Sequence, residues 1–372
     1  MPLSGKFARE GEWIKRGFEL AVDKINSGNG ILGRKLELIV LDDQFKEEQV
    51  PLLYRKLVGE FRADFLLGPF GSGLLMPASR IAEENDRLLF CTMSGAKVVH
   101  RQGFRNIIAT ITQPKYSAGV SAASFLKFLS LFDTWNEDRY LKRPRTMVLV
   151  CIDNVYGREI FEVIPEIASE YGFVITFREL YKENELPRRG LRSVEMLKPD
   201  IFMQQGYFGD AVSVMKEFIS RQLYTTYMYN SGSACLPDWV DRRHGLGERG
   251  NYMYGSSYWS PRYVGGDAEY LRRTYQKRFG EEANWEVALG YSSIELLAEA
   301  AKLSGSVDND SILRVLKTHK VEIALTPVRI AEDGANVLLD PCVAQPQKNR
   351  IEIVWPPHLA TAKAVRPIPK LH

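Results

Sequence analysis

Strand-like and helix-like segments alternate along this sequence, and that alternation restricts the fold more than any other feature. Residues 35–43 are typical of a β-strand, whereas Ile14, Phe18 and Ile25 recur at the spacing of one helical face. The same reasoning predicts strands at 64–67, 88–91, 146–152, 173–180, 200–206, 225–230, 251–258 and within 326–355, and helices at 46–61, 73–85, 113–131, 156–170, 208–221, 266–280, 286–304 and 309–318. This order predicts parallel sheets with helices on both faces.

The predicted elements fall into two series, one on each side of the helix at 113–131. At 372 residues the chain is longer than one hydrophobic core normally organises, so two domains are expected. We therefore predict an α/β fold with two doubly wound, Rossmann-like lobes. Ligands of open α/β sheets bind outside the carboxyl ends of the strands, in a crevice, and the functional site is expected there.

Composition argues against several classes of partner and cofactor. The net charge is +3, without a basic block of the kind that binds nucleic acid, and no apolar run approaches the roughly 20 residues of a membrane span. The histidines form no zinc-binding pair, so neither a metal nor a cofactor is predicted. Cys91 and Cys151 are expected to be buried thiols, while a Cys235–Cys342 bridge stays open.

Motifs of common enzymes are also missing from the sequence. The glycine-rich run "GPFGSG" at 68–73 matches neither the phosphate loop GxxxxGK[ST] nor the dinucleotide pattern GxGxxG. No GxSxG elbow of a serine hydrolase occurs. We therefore predict a binding protein that is not an enzyme and has no catalytic residues.

Small residues follow two predicted strands of the first series. Gly71-Ser72-Gly73 opens a helix after the strand at 64–67, and Ser94-Gly95-Ala96 follows the strand at 88–91. Serine hydroxyls and the N–H groups of a helix start can bind a carboxylate. The alternative for Ser72 is an ordinary helix N-cap.

Aromatic residues occupy the equivalent positions of the second series. Tyr156 lies in "DNVYG" after the strand at 146–152, and Tyr207 and Phe208 follow the strand at 200–206. Such side chains suit the apolar body of a small organic acid. The alternative for Tyr156 and Phe208 is packing in the core.

Several motifs spread along the chain resemble one known family. They are "PLSG" at 2–5, the helix that ends in Asn before a Gly turn, "GRKLELIVLDDQ", "LLGPFGSG", "SGA", "DNVYG" and "EIVWPPHLATA". Together they resemble the type I periplasmic solute-binding proteins of ABC importers, specifically the leucine/isoleucine/valine-binding group. The resemblance implies three hinge crossovers, an N-terminal lobe of 1–118 plus 256–322, a C-terminal lobe of 119–255 plus 323–356, and an irregular tail at 357–372.

The resemblance also implies which residues bind the ligand. Ser72 and Ser94 would hold a carboxylate with the backbone of Gly73, Gly95 and Ala96. Tyr156 would pack on the ligand from the second lobe, and Tyr207 or Phe208 would add an apolar wall. Ser231 lies where amino-acid binders offer an acid to the ligand ammonium, and residues 230–233 contain none. An α-amino acid would then need Glu10, Asp153 or Asp210 as its counter-charge, because an unpaired buried ammonium is costly. Aromatic acids, oxo acids and amides are therefore candidates beside amino acids, and Trp13 either adds aromatic surface or belongs to the core.

The resemblance leaves two hypotheses for the place of action. Family members normally carry an export signal and an apolar strand before "PLSG", and neither stands before Pro2 in this sequence. With a truncated start, the protein would be the periplasmic or extracellular substrate-binding component of an ABC importer, with a membrane permease as partner. With Met1 as the true start, it would be a cytoplasmic ligand sensor of the amide-sensing type.

Overall fold

The computed structural model describes residues 1–93, 95–131 and 142–370, and its chain divides into two compact units. Unit 1 comprises Met1–Ala118 and Tyr263–Leu339, and unit 2 comprises Gly119–Arg262 and Asp340–His372. The chain therefore passes from one unit to the other three times. The predicted returns at 256 and 323 fall earlier in the chain than the observed ones.

Helices and strands alternate through most of the described chain. The helices are α1 (Ala8–Ser27), α2 (Val50–Gly59), α3 (Ser72–Glu84), α4 (Lys97–His100), α5 (Val120–Ser130), α6 (Val155–Glu170), α7 (Arg188–Leu197), α8 (Phe208–Ser220), α9 (Ala268–Phe279), α10 (Trp285–Ser304) and α11 (Asn309–Thr318). The strands are β1 (Leu66–Leu67), β2 (Leu89–Cys91), β3 (Ile107–Ala109), β4 (Thr146–Ile152), β5 (Val174–Tyr181), β6 (Ile201–Gln205), β7 (Tyr227–Asn230), β8 (Gly255–Ser257), β9 (Val321–Glu322), β10 (Pro327–Val328), β11 (Cys342–Gln347) and β12 (Arg350–Trp355). Short 3-10 turns occupy Glu47–Gln49, Ser233–Cys235, Pro237–Val240 and Gly247–Gly250.

Unit 1 is built on the parallel sheet β1-β2-β3. The apolar face of α3 packs into the same core as these strands, through residues such as Leu75 and Ala78. Helices α1 and α10 approach closely because both carry glycine at the crossing. A Cβ on Gly17 would lie 2.2 Å from Val287 O, and one on Gly290 would lie 2.1 Å from Ile14 O.

The strand predicted at 35–43 is not formed, and this prediction was wrong. A strand needs a neighbouring ladder to satisfy its backbone groups. In the described chain, Met1 N donates to Leu41 O and Asp43 N donates to Met1 O, both at 3.1 Å, while the Asn26 side chain binds the backbone of Leu36. Between this segment and β1 lies a groove of about 370 Å³, where a ladder partner would have to run.

Unit 2 is built on the parallel sheet β5-β4-β6-β7. Strands β4, β6 and β7 are buried almost throughout, as is typical of a parallel sheet covered by helices. Cys151 pairs with Gln205, and Met203 pairs with Tyr229. A second, antiparallel sheet has the order β12-β11-β8. None of the described helices combines the length and apolar character that a membrane crossing demands.

Two further element predictions need correction. The helix predicted at 113–131 begins only at Val120, because Ser117 has a left-handed φ of 50° and its N–H closes a turn onto Gln113 O at 2.7 Å. The strand predicted at 251–258 is confined to β8. The four cysteines are buried and free, so Cys235 and Cys342 are not bridged.

Candidate functional site

In unit 1, the glycine-rich turn before α3 positions Ser72. Gly71 has a φ of 91°, a conformation that favours glycine, and its N–H donates to Met93 O at 2.7 Å. Ser72 is then the first residue of α3 and is buried, while Gly71 is the N-cap position without a side-chain cap. The N-cap alternative for Ser72 is thereby set aside. Ala96 N donates to Ser72 Oγ at 3.3 Å, which joins the two predicted carboxylate-binding segments.

The glycines of these two segments have different surroundings. A Cβ on Gly73 would meet no atom within 4 Å, so the chain is open at that position. A Cβ on Gly95 would lie 3.2 Å from Ala118 Cα, and Gly95 O accepts a bond from Ser117 Oγ at 3.0 Å. The first N–H groups of a helix lack intrahelical acceptors and carry partial positive charge, so the start of α3 suits an anion. Ser94 lies outside the described residues.

Two threonines at the carboxyl ends of neighbouring strands were missed by the sequence analysis. Thr92 directly follows β2, and Thr110 directly follows β3. Both are buried, and their hydroxyl oxygens have no hydrogen-bond partner within the described chain. The available signal was a hydroxyl residue directly after each apolar run, in "LLFCT" and "NIIAT".

Glu10 and Trp13 lie in the first two turns of α1 and are both buried. The Arg9 guanidinium lies over the Trp13 ring at 5.0 Å from its centre. This stacking covers part of the aromatic surface. Their assignment to the ligand site stays a prediction.

In unit 2, the motif "DNVYG" is explained residue by residue. Asn154 caps α6 by accepting a bond from Gly157 N at 2.8 Å. Gly157 packs so close to β4 that a Cβ would lie 1.8 Å from Ile152 O. Tyr156 neither caps the helix nor makes this close backbone approach to β4. Its hydroxyl lies 3.0 Å from Ser231 Oγ. Burial raises the pKa of Tyr156 to about 12, so the phenol is neutral at physiological pH.

Tyr156, Tyr207 and Ser231 lie close together, whereas the Phe208 ring contacts a different residue. The rings of Tyr156 and Tyr207 are stacked, with centres 6.3 Å apart and planes 20° apart. Burial also raises the pKa of Tyr207. Ser231 has a left-handed φ of 43°, a strained conformation typical of functional positions. Phe208 makes an edge contact with Trp239 at 6.3 Å.

Further hydroxyl groups extend this arrangement. Tyr229 OH donates to Ser256 Oγ at 3.0 Å, and Ser256 Oγ donates to Ser121 O at 2.7 Å. A hydrogen bond with the Ser121 side chain joins the Tyr258 hydroxyl to the same group. We call the set Ser121, Tyr156, Tyr229, Ser231, Ser256 and Tyr258 the hydroxyl cluster. Ser121, Tyr229 and Ser256 come from distant parts of the sequence, and no local motif marks them.

The charges near these positions are largely engaged. Asp153 forms an ion pair with Arg158, and this hydrogen bond lowers the pKa of the Asp153 carboxyl. Asp210 is buried in the first turn of α8. The described residues contain no group of three or more His, Cys, Asp or Glu side chains arranged to hold a metal ion.

The fold and these strand-end positions define a two-lobed α/β binding protein. The model of the periplasmic binding protein family matches residues 1–339, and the chain belongs to that family. The predicted resemblance to the type I proteins of the leucine/isoleucine/valine-binding group is confirmed, since the relatives that the chain matches include Leu/Ile/Val-binding proteins. The two Rossmann-like lobes predicted from the sequence are confirmed.

Individual relatives are similar to different extents. The Leu/Ile/Val-binding protein BraC3 of Rhizobium johnstonii is 34% identical over 126 residues, which are 34% of this chain and 34% of that protein. The alignment thus spans about a third of that relative's length. Leucine-binding protein LivK of Thermotoga maritima has a TM-score of 0.80 at 17% identity, covering 95% of both chains. A solute-binding protein of Rhodopseudomonas palustris BisB5, in complex with 3,4-dihydroxybenzoic acid, has a TM-score of 0.78 at 18% identity and covers 98% of this chain and 96% of its own.

Proposed function

We propose that this protein is the substrate-binding component of an ABC importer and captures a small carboxylate-bearing solute without chemical change. It would present that solute to a membrane permease, and it would act in the periplasm, as its family does. The observation that carries the proposal is the start of α3. The buried Ser72 is the first residue of this helix and lies beside the loop that contains Gly95 and Ala96.

The start of α3 supports the carboxylate. Its backbone N–H groups, the Ser72 hydroxyl and the open position at Gly73 supply donors and space in one place. An anion at such a helix end is stabilised by the unpaired N–H groups and by the helix dipole. Because these donors are neutral, they bind a carboxylate without needing a buried cation.

Unit 2 supports an aromatic or apolar body for the same solute. Tyr156 and Tyr207 offer flat rings, and the hydroxyl cluster offers neutral polar groups. Residues 230–233 contain no acid, and Asp153 is paired with Arg158. We therefore favour aromatic or oxo acids over α-amino acids, although the relative from Rhizobium johnstonii is named for leucine, isoleucine and valine.

The proposed mechanism is ligand-driven lobe closure. A solute that binds to groups of both units stabilises the conformation in which both sets of contacts are made. The carboxylate would hold unit 1, and the ring or apolar body would hold unit 2. The permease would then recognise the liganded conformation.

The test is calorimetric titration of the full chain with benzoate, an aliphatic oxo acid, leucine, and the amide of each acid. We expect binding of acids and loss of binding by their amides. Ser72→Ala should weaken acid binding by about 1–3 kcal/mol, because it removes a buried hydrogen-bonding partner. Ser79→Ala is the matched control, since Ser79 lies buried on the same helix and its hydroxyl binds Met76 O and Gln102. Equal affinities for acid and amide would refute the carboxylate site.

A further inference from the structure

Two adjacent glutamines at the end of β6 are both fully buried but differ in their partners. Gln204 Nε2 donates to Tyr181 OH at 2.7 Å, while Gln204 Oε1 has no hydrogen-bond partner within the described chain. The amide nitrogen and oxygen of Gln205 have no hydrogen-bond partner within the described chain. An unpaired buried amide is costly, because it has lost its water without gaining another partner. Gln205 thus holds an unused donor and an unused acceptor at the carboxyl end of a central strand.

The sheet register shows which way the two side chains point. Gln205 pairs with Cys151 and lies two residues from Met203, which pairs with Tyr229. Side chains at paired positions share a face, so Gln205 shares the face of Tyr229. Phe125 of α5 stacks on Tyr229 at 4.7 Å, which identifies this as the face covered by α5. Gln204 points to the opposite face.

The neighbours of Gln205 belong to the hydroxyl cluster. Tyr229 is a member through its bond to Ser256. Gln204 pairs with Asn230 in the register of β6 and β7, and Ser231, another member of the cluster, directly follows Asn230. The Gln205 amide therefore lies at the strand ends, on the face of the sheet that carries Tyr229.

We propose that Gln205 is a specificity-determining residue that recognises a hydroxyl group on the aromatic ring of the ligand. The inference rests on the proposed function, in which the ring binds at Tyr156 and Tyr207. A phenolic hydroxyl both donates and accepts, so it can use the amide oxygen, the amide nitrogen or both. An unsubstituted ring leaves the amide unpaired, and an ammonium group leaves the amide nitrogen without an acceptor. The ligand class is therefore a hydroxylated aromatic carboxylate.

The experiment is titration of the full chain with benzoate, 4-hydroxybenzoate, 3,4-dihydroxybenzoate and leucine. We expect at least one hydroxylated acid to bind about tenfold or more tightly than benzoate, the usual scale for one buried hydrogen bond. In Gln205→Met, which keeps the side-chain length, that preference should fall to about twofold or less. Its affinity for benzoate should be kept or improved.

The matched control is Gln204→Met, the same substitution one residue earlier on the opposite face. It breaks the bond to Tyr181, so it should lower the melting temperature but keep the preference for the hydroxylated ring. Ligand-free Gln205→Met should melt at or above the wild-type temperature, because an unpaired amide is removed. A marked fall in that temperature would indicate a structural role for Gln205 and overturn the assignment.

The outcomes separate this inference from the proposed function. A hydroxyl preference that survives in Gln205→Met overturns the inference and leaves the proposed function standing. If the wild-type protein binds leucine but no aromatic acid, the inference is likewise overturned and the proposed function still stands. If Gln205→Met does not fold, the test uses Gln205→Leu and the ligand preference of the wild-type protein. Equal wild-type affinities for benzoate and both hydroxybenzoates refute the inference. Binding of no carboxylate refutes both.

Discussion

The parallel sheets of the two units differ in how completely they are paired. In unit 2, strands β4, β5, β6 and β7 are four to eight residues long and form one four-stranded sheet. In unit 1, strands β1, β2 and β3 are only two or three residues long, and the extended segment 35–43 lies beside β1 across a groove. Apolar sequence alone therefore does not make a strand, since the ladder partner is equally necessary.

The two units also differ in the chemistry that they offer to a solute. Unit 1 offers backbone N–H groups and small hydroxyls at the start of α3, which suit an anion. Unit 2 offers stacked phenols and a buried amide, which suit a ring with polar substituents. Under the proposed function, unit 1 would bind the acid group and unit 2 would select the rest of the ligand.

The largest expected effect tests the difference between the sheets. Ile201→Ala in β6 should lower the free energy of unfolding by about 2–5 kcal/mol, because the side chain is fully buried and the lost atoms leave a cavity. Ile39→Ala in segment 35–43 should cost about 1 kcal/mol or less, since Ile39 is only partly buried. Urea unfolding of both variants measures the difference. Equal losses would show that segment 35–43 is as well packed as β6.

The second prediction concerns pH and distinguishes the buried acids of the two units. Glu295 of unit 1 accepts bonds from Asp267 N and Ala324 N, and burial raises its pKa from 4.5 to about 8. The folded state thus binds the proton more tightly than the unfolded state does. The stabilisation is fully present below pH 4.5 and is lost as the pH rises towards 8.

Glu295→Gln should flatten this dependence between pH 5 and 8 in thermal unfolding. Tyr156 of unit 2, with its pKa of about 12 against a usual 10, loses its own contribution only between pH 10 and 12. Tyr156→Phe should therefore keep the wild-type profile between pH 5 and 8. A wild-type profile in Glu295→Gln would contradict the assignment.

The smallest expected effect is on ligand affinity and tests the role of the Tyr156 hydroxyl. Tyr156→Phe keeps the ring stacked on Tyr207 but removes the hydroxyl that meets Ser231. Ligand affinity should fall by about 0.5–1.5 kcal/mol, the usual net value of one hydrogen bond. Tyr224→Phe is a control, because its hydroxyl binds Ile368 O away from the cluster. Equal losses of ligand affinity in both variants would contradict the assignment of Tyr156 to the binding site.

The fold class followed from the sequence because apolar periodicity is a local property. The runs at 146–152 and 200–206 and the helix starts near Ser72 and Tyr156 were all recognisable from neighbours in the chain. Segment 35–43 was misjudged for the same reason, since its periodicity resembles that of a strand while its partner is a matter of tertiary structure. The late start of α5 depended on a left-handed Ser117, which no propensity marks.

The sequence by itself determined two α/β units, the glycine-opened helix at Ser72, and the absence of an acid at 230–233. Only the tertiary structure decided that Tyr156 meets Ser231, that Phe208 contacts Trp239, and that the amide nitrogen of Gln204 is hydrogen-bonded while that of Gln205 is not. The physical reason is that hydrogen bonds join residues by distance in space. Two identical neighbours on a strand face opposite sides of the sheet, and the environment of each is set by elements far away in the chain.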